Sequence, residues 1–333
     1  MAHAPGTSHA AAALELSTQA KRSAALSSIG VNIFLLTLKT VVGVMTGSVA
    51  LWASAADSLL DLTASTFAYF GVRVGSRPPD DTHAYGHAKF ESLSSLVQLS
   101  LLFVTVGIIA SEALQRLGGE INVKTPMYGI AVIVISLFVD FWISRKLRRV
   151  AKENGGSQAL EADALHFAAD VYSNIAVIIG LMAVNAGFTL GDPLAALFVA
   201  VVVGVTAVGL LRDTATVLTD GAPDEEAIIA IRNVLQNYPA IDDHHTLRAR
   251  LIGSQIYLDV CVELDPELSF TSAHNLTHEL ADALRAAVPE IADTVIHYEP
   301  TGHPTHQDEA HHAHGFDALS RTPADPAAAD PAN

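Results

Sequence analysis

Long apolar blocks recur over the first part of the chain, from IGVNIFLLTLKTVVGVMTG to PLAALFVAVVVGVTAVGLL. Six such blocks, counted with their flanks, reach roughly 20 residues each, the length that an α-helix needs to cross about 30 Å of hydrocarbon. With 50% hydrophobic and 16% charged residues, the chain also differs from ordinary soluble proteins of this length. The sequence therefore predicts a polytopic α-helical membrane protein with six transmembrane helices.

The apolar blocks stop near Leu218, and the pattern that follows is amphipathic and acidic. Helical and strand periodicities predict the order αββαβ for residues 219–300, which indicates a small C-terminal α+β domain of the ferredoxin-like or metallochaperone-like type. We expect the membrane domain to occupy residues 20–218. Disordered tails are expected over residues 1–19 and over residues 301–333, a segment of His, Pro, Ala and Asp.

Charge indicates the orientation of the chain and its partners. Basic residues gather at one set of predicted helix ends: Lys21, Arg22, Arg73, Arg77, Lys89, Arg145, Lys146, Arg148, Arg149 and Lys152. Because Lys and Arg favour the cytoplasmic side, both termini are predicted to be cytoplasmic. The net charge of -16 comes mostly from the region after residue 220, which disfavours nucleic acid and suits a cation. The single cysteine, Cys261, excludes an intrachain disulfide.

Two pairs of ionisable residues lie inside the predicted membrane helices. Asp57 and Asp61 are four residues apart in SAADSLLDL, and His166 and Asp170 are four apart in ALHFAADVYSN. Each pair therefore shares one helical face. Such residues are costly in hydrocarbon and usually mark a transport path, although interhelical hydrogen bonds or a polar cavity would also accommodate them.

If the two faces meet, three carboxylates and an imidazole surround one point, and a divalent cation would relieve their repulsion. Four nitrogen and oxygen ligands in a tetrahedron suit Zn²⁺ better than Mg²⁺ or Ca²⁺. Metal and protons compete for these groups, so binding would be linked to pH. Lys39 and Asp140 are solitary in their helices, which favours a structural salt bridge, snorkelling or a polar cavity for each.

The segments TGSVALWASAADSLLDL, PPDDTHAYGHAKFESL and ALHFAAD together resemble the cation diffusion facilitator family, over residues 20–300. The resemblance is to the bacterial zinc, cadmium and iron proton-antiporter branch. It implies a homodimer in the lipid of a bacterial inner membrane that exports divalent metal, chiefly Zn²⁺, in exchange for protons. It assigns the transport site to Asp57, Asp61, His166 and Asp170. His166 argues against the manganese branch, where an aspartate is usual.

The resemblance implies further sites in the cytoplasmic parts. Asp80, His83 and His87 would form a second metal site in a short loop, where spacing alone leaves a solvated polar loop equally open. Lys89 and Asp220 match a structural charge interlock. The cytoplasmic domain would bind regulatory metal at five matching positions: His245, Cys261, His274, His297 and Glu299. Asp259 joins Cys261 on one strand face through the two-residue strand period, as His297 joins Glu299. Cys261 and Glu299 stand where the branch often has histidine and aspartate, which leaves the number of ions open.

Three alternatives accompany this hypothesis. Fe²⁺, Mn²⁺, Co²⁺ or Cd²⁺ could be the main substrate, because geometry discriminates among metals more than ligand type does. An intramembrane metalloenzyme is a function of another class, since buried zinc can activate water. All four ligand positions are filled by protein and the helices contain no H-E-x-x-H motif, which disfavours an enzyme. A metal sensor without transport would leave the membrane carboxylates unexplained.

Overall fold

The computed structural model describes residues 6–47, 49–117, 127–186, 188 and 190–302. The chain divides into two compact units, Met1–Leu218 and Thr219–Asn333. The tail expected over residues 301–333 lies outside the described residues except for its first two positions.

The described part of unit 1 contains six long helices. Their bounds are α1 Gly6–Thr46, α2 Val49–Gly75, α3 Lys89–Leu117, α4 Met127–Glu153, α5 Gln158–Asn185 and α6 Gly191–Leu218. In the described part of the chain, four segments are long and apolar enough to cross a membrane: Glu15–Thr46, Lys89–Leu117, Gln158–Gly180 and Pro193–Leu218. The remaining helices, α2 and α4, have 27 residues each, but acidic residues interrupt the first and a basic cluster ends the second. Six membrane crossings therefore stay a prediction.

Helix α1 begins at Gly6 and so includes most of the segment that was expected to be a disordered tail. The run HAAAALEL explains the difference, because alanine and leucine have high intrinsic helix propensity and no glycine or proline interrupts the run. The composition was interpreted as that of a tail, whereas its local propensity continues the first membrane helix towards the N-terminus.

Helix α5 lies at the centre of unit 1 and packs against each of α1, α2, α3, α4 and α6. Buried Phe167 belongs to an apolar cluster with α1, α2 and α4, and Leu165 to another with α3 and α6. Small residues allow close approach between these helices. At the α2–α3 contact, a Cβ added to Gly71 would lie 2.4 Å from the Cβ of Ser94.

Unit 2 contains α7 Glu225–Asn237, β1 Asp243–Ile252, β2 Gln255–Leu264, α8 Phe270–Ala287 and β3 Ile291–Pro300. This is the predicted order αββαβ. Strand β2 is central, antiparallel to β1 and parallel to β3. Asp224 and Ser269 cap the two helices by accepting hydrogen bonds from backbone N–H groups in their first turns. Ile231, Leu258 and Leu280 are among the side chains that form the core between helices and sheet.

Candidate metal sites

Three side chains converge between α2 and α5 in the interior of unit 1. One ligand atom each from Asp61, His166 and Asp170 lies within 4.8 Å of the other two. The Nε2 atom of His166 is 2.7 Å from Oδ1 of Asp61, and only 3% of His166 is exposed. The group joins one residue of the first predicted pair, Asp61, with both residues of the second. Two carboxylates and an imidazole in a water-poor site are suitable ligands for a divalent ion.

Asp57, the fourth predicted ligand, lies outside this group. Asp57 lies on the same face of α2 as Asp61, one turn before it, and is exposed. Lys39 of α1 lies nearby, where its Nζ donates a hydrogen bond to Ser58 Oγ over 2.7 Å. Among the described residues, the structure therefore brings together three of the four predicted ligands.

A buried polar network lies one turn before His166 on α5, and the sequence reasoning missed it. The Oδ2 and Oδ1 atoms of Asp163 are 2.5 Å from Ser28 Oγ and 2.6 Å from Ser65 Oγ. The two serine oxygens are 2.6 Å apart, and Asn32 Nδ2 donates to Ser65 Oγ over 2.8 Å. These contacts join α1, α2 and α5. The signal was the position of Asp163 three residues before His166, on the same helical face.

A second group lies in the loop between α2 and α3. Asp80 Oδ2 is 3.3 Å from His87 Nε2, and Asp80 Oδ1 is 3.6 Å from His83 Nδ1. His87 is buried and its Nδ1 is 3.2 Å from the carbonyl oxygen of Pro78. Because that oxygen can only accept, Nδ1 carries the hydrogen and Nε2 is turned towards Asp80. All three predicted residues of this site come together.

Hydrogen bonds keep Asp80 ionised. Its Oδ1 accepts from the Thr82 hydroxyl over 2.7 Å and from the backbone N–H groups of His83 and Thr82 over 2.8 Å and 2.9 Å. These bonds, with the Thr82 hydroxyl first, hold the pKa of the Asp80 carboxyl well below its usual range. The loop therefore presents a fixed negative charge to a cation over the whole physiological pH range.

A third group lies on the sheet of unit 2, with one residue from each strand. His245 of β1, Cys261 of β2 and Glu299 of β3 offer ligand atoms that all lie within 4.8 Å of one another. Burial, and then the neighbouring Glu299, raise the pKa of the Cys261 thiol to about 12. A metal ion at this place would displace the thiol proton, since the thiolate is the ligand form.

The other three predicted residues of unit 2 are not members of that group, although His297 contacts it. Asp259 pairs with Arg248 across the strands, with 3.4 Å between Oδ2 and Nη2. His274 is exposed on α8, its Nε2 3.2 Å from that of His278. His297 is at the edge of the group, with Nε2 3.2 Å from Oε1 of Glu299 and most of its ring exposed.

The predicted interlock joins residues of different units. Lys89 begins α3 in unit 1, and Asp220 lies in unit 2 shortly after the end of α6. Asp220 has a positive φ of 58°, a backbone conformation that aspartate tolerates better than most residues. The Lys89–Asp220 pair stays a prediction.

Comparison with known proteins places both units of this chain in known families. Residues 25–219 match the family model for the cation efflux transmembrane domain, and residues 223–301 match that for the cation efflux protein cytoplasmic domain. The chain is 33% identical over 286 residues to the cation-efflux pump FieF of Serratia proteamaculans, a match that covers 84% of this chain and 92% of the relative. The FieF of Pectobacterium atrosepticum is 34% identical over 277 residues, with 83% and 92% covered.

A solved structure, the metal-bound C-terminal domain of the CzcD transporter from Thermotoga maritima, is also similar. It is 28% identical, with a TM-score of 0.23, and covers 23% of this chain and 91% of that domain. The two family matches together span both units of the molecule, and the FieF relatives are aligned over most of their length. The chain belongs to the cation efflux family, the cation diffusion facilitators.

Proposed function

We propose that this protein exports divalent metal cations, Zn²⁺ above all, from the cytoplasm in exchange for protons. The similarity to cation-efflux pumps supports the efflux of divalent metal. In this proposal, α1 to α6 all cross the bacterial inner membrane, with both termini in the cytoplasm and two copies of the chain in a homodimer. The cytoplasmic-domain match, which is to a dimerisation domain, supports the homodimer.

The observation that supports the proposal best is the group of Asp61, His166 and Asp170 inside the helical unit. Two carboxylates and one imidazole suit Zn²⁺, and the imidazole disfavours Mg²⁺ and Ca²⁺, which prefer oxygen ligands. Asp57 lies one turn from Asp61, so a small rotation of α2 or a side-chain rearrangement would bring it to the ion as the fourth ligand. The ion is the substrate of the site and not a resident cofactor.

The contact between His166 and Asp61 supports the proposal of proton exchange. Their Nε2 and Oδ1 atoms are 2.7 Å apart and share a hydrogen. A metal ion coordinated by the same two atoms must displace that hydrogen, and the site releases a proton when it begins with a doubly protonated His166 or a protonated Asp61. Metal and proton are therefore alternative occupants of one place, as an exchanger requires. Alternating access would expose this place to the cytoplasm for loading and to the opposite side for release by protons.

The two cytoplasmic groups are proposed to have supporting roles. Asp80, His83 and His87 would hold metal near the cytoplasmic entrance, and His245, Cys261 and Glu299 would sense it. For the regulatory site, we retain Asp259, His274 and His297 as candidates that a metal or the partner copy would have to bring closer. Differential metal affinity between two states of the dimer would then bias the transport cycle.

Flux measurements in proteoliposomes with an imposed pH gradient test the proposal. Zn²⁺ uptake coupled to proton movement is expected for the wild type, with a loss of at least about 10-fold in His166→Ala and Asp61→Asn because each removes a ligand. Asp213→Asn, which changes an exposed carboxylate on α6, is the matched control and should transport normally. Proton-coupled Zn²⁺ flux of normal rate in His166→Ala would overturn the site.

The same liposomes distinguish the alternative substrates. A panel of Zn²⁺, Fe²⁺, Mn²⁺, Co²⁺ and Cd²⁺ at equal concentration gives the ranking directly, and we expect Zn²⁺ to have the highest kcat/KM. A higher value for another metal would correct the substrate and leave the transport mechanism intact.

A further inference from the structure

Helix α4 carries a buried carboxylate that no part of the mechanism above uses. Asp140 is 2% exposed. Its Oδ2 is 3.5 Å from Nδ2 of Asn174, and its Oδ1 has no hydrogen-bond partner among the described residues. A buried acceptor without a partner is costly, because its interaction with water is lost and not replaced. A purely structural contact with Asn174 leaves this second oxygen unexplained.

The position of Asp140 relates it to the transport site. Asn174 follows Asp170 by four residues on α5, and Asp170 follows His166 by four, so the three share one helical face. Since Asp140 contacts Asn174, its side chain lies against that face, one turn beyond Asp170. The charged side chains that act on Asp140 electrostatically are Asp170, then Lys39, Asp61 and His166, from α1, α2 and α5.

These neighbours do not favour a further negative charge on Asp140. Lys39 supplies one positive charge, and its ammonium already donates to Ser58. Asp61 and Asp170 supply two carboxylates, to which Asp140 adds a third from α4. Neighbouring carboxylates inside a membrane protein repel each other unless protons or a cation neutralise them. A bound divalent cation would neutralise this repulsion and would also give the Oδ1 atom of Asp140 a partner.

We propose that Asp140 is a further metal-binding carboxylate of the transport path, which receives the divalent cation next to the group of Asp61, His166 and Asp170. Asn174 would orient the carboxylate through Oδ2, leaving Oδ1 for the ion. The inference rests on the proposed function and adds a residue on α4 to a site otherwise formed by α2 and α5.

Zinc flux into proteoliposomes at graded Zn²⁺ concentrations tests the role of Asp140. Asp140→Asn keeps the size of the side chain and its contact with Asn174 but removes the charge. We expect it to raise the KM for Zn²⁺ by about 10- to 100-fold, the usual effect of losing a group that supports a metal site. Asp140→Glu keeps the charge and should have a KM closer to the wild type than Asp140→Asn has.

Ser136→Ala is the matched control, because Ser136 lies one turn before Asp140 on α4, is equally buried and also has an oxygen without a hydrogen-bond partner in the described part of the chain. It should keep the wild-type KM. An unchanged KM in Asp140→Asn would overturn the inference, as would equal impairment of Asp140→Asn and Asp140→Glu. A lower melting temperature with unchanged KM would show a structural role and also overturn it. Wild-type liposomes that move no divalent metal would instead refute the proposed function.

Discussion

Replacement of Asp163 measures what the buried network of α5 contributes. Four short contacts connect Asp163, Ser28, Ser65 and Asn32. Each serine hydroxyl can donate one hydrogen, and the Asn32 amide donates one to Ser65. Three hydrogens are therefore available for four contacts, so one contact is not a hydrogen bond while Asp163 is ionised. Asp163→Asn adds an N–H donor of nearly the same size and should leave the network intact. Asp163→Ala removes both acceptors.

The structure sets the size of the expected loss. After Asp163→Ala, one serine can still donate to the other, which leaves one buried hydroxyl without an acceptor, at about 1–3 kcal/mol. The space left by the carboxyl group adds roughly 1 kcal/mol. Hydrogen bonds between membrane helices average only about 0.6 kcal/mol, which favours the lower part of this range. We therefore expect Asp163→Ala to lower the free energy of unfolding by about 2.5 kcal/mol. For a unit of this size, that loss corresponds to a melting temperature lower by about 5–10 °C.

Intrinsic fluorescence of the detergent-solubilised protein during heating is a suitable assay. Asp213→Ala, the same substitution at an exposed carboxylate on α6, is the control and should melt within about 2 °C of the wild type, as surface changes do. The reasoning is refuted if Asp163→Ala also melts within that margin. It is equally refuted if Asp163→Asn loses as much stability as Asp163→Ala.

Three further predictions concern packing and the cytoplasmic domain. Gly71→Ala should lower the melting temperature because its Cβ would lie 2.4 Å from that of Ser94. Gly30→Ala should not, because the new Cβ would meet nothing within 4 Å in the described part of the chain beyond the backbone of its own helix. Leu280→Ala removes a fully buried side chain of unit 2 and should cost about 2–5 kcal/mol in denaturant unfolding of the full chain. The Cys261 thiol has its pKa raised from 9.0 to about 12, so its stabilising contribution is complete below pH 9 and is lost as pH rises towards 12. The free energy of unfolding of the metal-free protein should therefore fall between pH 9 and pH 12, and it should fall less in Cys261→Ser. An equal fall in both proteins would show that the Cys261 thiol is not responsible.

Local spacing predicted those parts of the sites that lie within one element. His166 and Asp170 share a face because helical periodicity requires it, and Asp80, His83 and His87 are close because one short loop contains them. The order αββαβ likewise followed from periodicity and turn residues. These features depend on interactions between residues that are near each other in the sequence.

The rest depended on how elements pack, which one sequence does not specify. The network of Asp163 requires that Ser28 of α1 and Ser65 of α2 face the same side of α5. Strand periodicity placed Asp259 on the face of Cys261, but Arg248 lies opposite Asp259 in the register and pairs with it. Between His245 and Arg248 the register shifts, a bulge that the alternation of residues did not indicate.

The polar face of α5 has a consequence for how this helix can move. Asp163, His166, Asp170 and Asn174 follow at intervals of three or four residues, and partners for three of them come from α1, α2 and α4. If α5 slid along its axis by one turn, about 5.4 Å, each of these polar groups would reach the position that the next one on α5 now occupies, beside that residue's partners on the other helices. This spacing therefore favours discrete positions of the helix along its axis, and a transporter built on it would switch between levels and not drift through them.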